Sequence, residues 1–98
     1  MKKIAFILYD RQAEALRVAT GLTLLNDKVD IFLLDNKLQL EDAASSLIVK
    51  NIEMLDMLGT VSYFYNFKEK NPFYKKFTFL NNTQFAKKLL DYNYIIKY

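Results

Sequence analysis

Residues 3–34 run KIAFILY, then a polar turn, then QAEALRVATGLTLLND, then KVDIFLL. Two short, almost wholly apolar segments flank one segment of helical period. Such a β-α-β unit implies a parallel sheet covered on both faces, because its strands carry no polar side. The crossover is expected to be right-handed, and ligands of such sheets bind at the carboxyl ends of the strands. The turn at residues 9–12, Tyr-Asp-Arg-Gln, is therefore the first place to look for chemistry.

The rest of the chain continues the alternation. The first helix is expected to start at Asp10 as N-cap, with Ala15, Val18, Ala19, Leu22 and Leu25 toward the sheet. Gly21 lies inside it at a cost of about 1 kcal/mol, which close packing of helix on sheet would explain. A second helix is expected over 41–58, with Ala44, Leu47, Ile48, Leu55 and Leu58 inward and Gly59 as its C-terminal cap. TVSYFYN (60–66) reads as a strand. FKEKNPFYKK (67–76) holds the single proline and reads as a loop. FTFL (77–80) is a short strand. A helix capped by Asn81, Asn82 or Thr83 follows, with Phe85, Ala86, Leu89 and Leu90 inward, and NYIIKY (93–98) closes the sheet. The expected fold is one domain, residues 1–98: a three-layer α/β sandwich of about five mainly parallel strands with helices on both faces.

Composition narrows the chemistry. Ninety-eight residues, 52% apolar, suit one globular domain. No apolar run approaches the roughly 20 residues of a membrane span. The opening MKKIAFILYD reads as the first strand rather than a leader, since Asp10 interrupts it and no small-residue cleavage site follows; a cytoplasmic location is expected. The chain has no Cys and no His, which excludes disulfides, thiolates, imidazole bases and the usual zinc ligands. No cofactor is implied. Residues 1–58 hold seven Lys/Arg against nine Asp/Glu, and residues 59–98 hold seven Lys against two acids. Twelve of the fifteen aromatic residues also lie in the second stretch, so the two halves present different surfaces.

Three candidate sites follow. YDRQAEA lacks the glycines of a phosphate cradle, but Arg11 at a helix start can meet an anion; otherwise it is simply solvated. Asp35, Glu41 and Asp42 offer oxygen ligands to Mg²⁺, yet no spacing rule fixes a site, and a solvated loop leading into a helix explains them as well. Tyr65, Asn66, Phe67, Lys68, Lys70, Phe73, Tyr74, Lys75, Lys76 and Phe77 interleave bases and aromatics. That mixture suits an oligomer interface with lysines at its rim, a nucleic-acid surface, or an ordinary loop.

The order of segments resembles the DsrE/DsrF-like family. KIAFILYDRQAEALRVATGLTLLNDKVDIFLLDNKLQL is similar to the family's opening. IVKNIEMLDMLGTVSYFY is similar to its helix ending in Leu-Gly before the third strand. LLDYNYIIKY is similar to the close of the DsrF/TusC branch. The resemblance implies small α/β subunits that assemble with sister subunits, or with themselves as trimers or hexamers, in persulfide sulfur transfer for tRNA 2-thiouridine or sulfur oxidation. It also implies a persulfide-bearing Cys after the third strand in the active members. Here that region is Tyr65-Asn66-Phe67-Lys68, and a hydroxyl, amide or amine cannot replace a thiolate. The expected role is a non-catalytic subunit without membrane contact, in reach of tRNA or a sulfur-carrier protein only indirectly. The alternative is a self-assembling module that binds a small ligand or nucleic acid through residues 67–77.

Overall fold

A computed structural model of the chain describes residues 2–25, 27–39, 45–58, 60–68 and 76–98. Among the described residues the elements follow in the order β1 (Lys3–Ile7), α1 (Gln12–Leu24), β2 (Lys28–Leu33), α2 (Ser45–Leu58), β3 (Tyr63–Tyr65), β4 (Thr78–Phe79), α3 (Asn82–Leu89) and β5 (Tyr94–Lys97). The strands form one parallel, open sheet in the order β4-β3-β2-β1-β5. The α/β sandwich expected from the alternation of segments is the fold observed.

Alternation along β1 and β2 sorts the core into two layers. Ile4, Phe6, Leu8, Val29, Ile31 and Leu33 face α1 and α2, meeting Ala15, Leu16, Ala19, Ile48, Ile52 and Leu55. Ala5, Ile7 and Phe32 face the other way and meet Phe85 of α3, with Phe64, Leu80, Leu89 and Tyr92 around them. A helix of eight residues cannot blanket five strands, so this second layer is built mainly from aromatic rings. Phe32 stacks on Phe64 at 5.0 Å and meets Phe85 and Tyr92 edge-on at 5.2 and 5.4 Å. Offset and edge-on contacts of this kind suit the ring quadrupole.

Several helix faces differ from the pattern read in the sequence. Arg11, not Asp10, is the N-cap of α1, and no side chain caps that end. Ala15 and Ala19 face inward as expected, but Val18 is exposed and Leu25 is 74% exposed, while Leu16, Gln12 and Thr20 take the inner positions. The polar pair is tolerated because each finds a backbone partner; the Thr20 hydroxyl donates to the Leu16 carbonyl at 2.9 Å. On α2, Ile48 and Leu55 are buried as expected and Leu58 partly so, but Leu47 is 55% exposed and Ile52 is buried instead. Residues 41–44 and Gly59 lie outside the described residues. Asn81 caps α3 through a reciprocal box with Gln84; Phe85 is buried, whereas Ala86 and Leu90 are exposed.

Gly21 does not pack against the sheet. It lies on the exposed side of α1, and a Cβ placed there would meet nothing within 4 Å. Gly21→Ala should therefore stabilise the protein by about 0.4–1 kcal/mol, by restricting the unfolded chain without a clash in the folded one. A rise in the urea midpoint is the expected result; a fall would mean that something rests on this face of α1.

Candidate functional site at the carboxyl ends of the strands

In a parallel sheet every strand leaves on the same side, so the loops after β1, β2, β3 and β4 converge at one end. Here that end is stitched together by carboxamides. Gln12, buried at the start of α1, donates through Nε2 to the Lys37 carbonyl at 2.8 Å and accepts from the Gln39 amide through Oε1 at 2.7 Å. Asn36 donates to the Tyr9 carbonyl at 2.7 Å. These two side chains tie the turn after β1 to the turn after β2.

The second half of the stitch centres on Asn66, directly after β3. Its Oδ1 accepts from the Asp35 backbone N–H at 2.7 Å, and its Nδ2 donates to Asp35 Oδ1 at 3.0 Å and Asn82 Oδ1 at 3.1 Å. Asp35 has φ 51°, in the left-handed region where a short polar side chain with a local partner is accommodated. The reciprocal pair with Asn66 fixes that conformation. On the helix side, Asn51 of α2 donates to the Ala13 carbonyl of α1 at 3.1 Å.

What such a site can do chemically follows from the functional groups. A carboxamide carries both donors and acceptors and does not titrate or attack near neutral pH. The Asn66 amide has its oxygen and both of its hydrogens engaged in bonds within the protein. Among the described residues no group of three or more His, Cys, Asp or Glu is gathered to hold a metal ion. Asp35 is hydrogen-bonded to Asn66, and Glu41 and Asp42 lie outside the described residues.

The structure separates the residues singled out in the sequence. Arg11 is exposed and lies 3.9 Å from Glu14 one turn on, a surface pair of small energetic weight. Tyr65 and Phe67 are partly buried against the main core, and Tyr65 packs edge-on with Phe67, Phe77 and Phe79 at 5.3–6.2 Å. Those rings extend the core past α2 along β3 and β4. Lys68 is exposed. Lys76 bonds Asp56 of α2, whose other oxygen accepts from the Tyr63 hydroxyl at 2.7 Å. Lys70, Phe73, Tyr74 and Lys75 lie outside the described residues. Of the carboxamides in this stitch the sequence singles out Asn66 alone, as part of the 65–77 candidate; Gln12, Asn36 and Asn51 are not singled out as site residues, although Asn36 falls just past an apolar strand.

A second polar cluster sits near the opposite end of the sheet. Asp30, on the α3 face of β2, is buried, and it pairs with Lys28, accepts from the Ser62 amide at 2.9 Å and accepts from the Tyr92 hydroxyl. Lys28 also donates to the Thr60 carbonyl. Both hydrogen-bonded tyrosines hold their protons above the ordinary range. For Tyr63 the causes are burial and then Asp56; for Tyr92 they are burial, then Asp30, then Asp91. An unfolded tyrosine ionises near about pH 10. Below that pH both states are neutral and the hydroxyl bonds are intact; above it the unfolded chain ionises first, so stability falls. A Tyr63→Phe/Tyr92→Phe variant is expected to be less stable at pH 8 and to lose less on going to pH 11 than the parent, as followed by urea midpoints. Equal alkaline losses would contradict the assignment.

Comparison with protein-family models, with characterised proteins and with solved structures finds no match for this chain.

Proposed function

We propose that the chain is a non-catalytic subunit of a sulfur-relay assembly, in the manner of the DsrF/TusC branch that its sequence resembles. The observation that carries the reading is Asn66. Where the resemblance places a persulfide Cys in active members, in the loop after the third strand, this chain has Asn66, a carboxamide whose oxygen and both amide hydrogens are bonded within the protein. A thiolate carries sulfane sulfur because it is a soft, easily deprotonated nucleophile; an amide is neither. In this role the parallel sheet is a scaffold, and a sister subunit supplies the thiol. The absence of any helix among the described residues long and apolar enough to cross a membrane is compatible with such an assembly.

Isolation of the tagged chain from its native cell tests the proposal. A Cys-bearing relative of similar size should come with it in fixed stoichiometry, and that partner, not this chain, should take up sulfur from a persulfide donor. Recovery of the chain without such a partner overturns the reading.

A further inference from the structure

The two edges of the sheet are unlike. β4 has two paired residues, and a very short edge offers little to pair with. β5 is longer, and its inner side is bonded along its whole length: the Asn93 amide donates to the Lys3 carbonyl, and the Tyr98 amide donates to the Ile7 carbonyl. No described strand lies beyond it. Its sequence, Tyr-Ile-Ile-Lys, is the near-continuous apolar run of a strand flanked on both sides, yet Tyr94 and Ile95 are each 51% exposed. Natural edges are commonly guarded by a lysine aimed outward. Here the lysine of β5, Lys97, is drawn back over the ring of Tyr9, 4.5 Å from its centre, and Lys2 lies over the ring of Tyr94 at 5.3 Å, so both ammonium groups rest on ring faces.

We infer that β5 is the interface between two copies of this chain, paired antiparallel about a two-fold axis normal to the sheet into one ten-stranded sheet. Symmetry limits the register. Residues directly opposite in an antiparallel pair point to the same face, and an axis normal to the sheet keeps faces distinct, so the axis passes through a residue. Placing it at Ile95 sets Ile95 against its own copy, Tyr94 against Ile96 of the other protomer, and Lys97 against the Asn93 carboxamide. Shifting it to Ile96 would set Lys97 against Ile95, a charge against an apolar side chain. The Ile95-centred register keeps the two Lys97 ammonium groups apart and opposes apolar to apolar at the centre, which selects a second copy of this chain as the occupant. The inference rests on the edge alone and does not depend on the sulfur-relay reading.

The test uses the purified full chain. Light scattering should give twice the 11.6 kDa chain mass. Ile95→Lys places two like charges face to face at the axis and should weaken dimerisation by about tenfold or more, with an unchanged circular-dichroism spectrum. In a protein without cysteine, Ile95→Cys creates one reporter thiol whose copy lies across the axis at a Cα separation within the disulfide range, and mild oxidation should give a covalent dimer. Met57→Cys, on the exposed side of α2, should not cross-link at a comparable rate. A monomer or a trimer overturns the inference. So does a dimer indifferent to Ile95→Lys, or equal cross-linking at the two positions.

Discussion

Asp30→Ala is expected to remove about 2–4 kcal/mol of folding stability, because it deletes a buried carboxylate that accepts from three donors. The mechanism lies in what remains. Lys28, the Ser62 amide and the Tyr92 hydroxyl all direct donors at this carboxylate; alanine leaves the Ser62 amide and the Tyr92 hydroxyl without this acceptor and Lys28 with the Thr60 carbonyl alone of its two partners. Asp30→Asn keeps an oxygen for the Ser62 amide and places its Nδ2 toward the Tyr92 hydroxyl, which can accept as well as donate, so it discards the charge but should cost clearly less. Urea unfolding of both variants at pH 7 checks the prediction. A domain of this size has about 5–15 kcal/mol to lose, so the alanine variant should show a large drop in midpoint. Equal losses for Ala and Asn would show that volume rather than hydrogen bonding matters there.

Phe32→Ala should be comparably severe, about 3–5 kcal/mol, for a different reason. Phe32 is the centre of the layer beneath α3 and touches the rings of Phe64, Phe85 and Tyr92. Its removal leaves a cavity that an eight-residue helix, anchored chiefly by Phe85, cannot close by moving inward. Amide hydrogen exchange should accelerate most in α3 and least in α1 and α2, which pack on the opposite face. A uniform acceleration would mean that the two faces open together. Phe32→Leu retains most of the volume and should be much milder.

The strands of this protein are legible in its sequence because parallel strands buried on both faces must be written as short apolar runs. KIAFI and KVDIFL are such runs, and the alternation with helices dictates the layered architecture. Helix orientation was less legible. Val18, Leu25, Leu47 and Leu90 continue apolar stripes yet are exposed, while Gln12, Thr20 and Asp30 are polar yet buried. The reason is local satisfaction: a polar side chain whose partners lie on the backbone or across a strand can take an inner position, and hydrophobic period does not register it. The carboxamide stitch was hidden by distance, since Asp35 and Asn66 are 31 residues apart. No periodicity reports which strand ends will meet. The strand order was hidden for the same reason.

That order has a consequence for how the chain reaches its native state. β1 lies between β2 and β5, and its two neighbours could hardly differ more in sequence distance. β2 follows after one helix, so the first β-α-β unit can close early and locally. β5 meets β1 across 90 residues, as in the bond between the Lys3 amide and Asn93. Closing so long a loop carries the largest entropic barrier in the fold, and non-local parallel pairing is slow. During synthesis from the ribosome, the β5-facing edge of β1 stays open until residues 93–98 have emerged. Until then the nascent protein displays Ile4, Phe6 and Ile7 beside an unpaired backbone, and that interval is when it depends most on being kept from its neighbours.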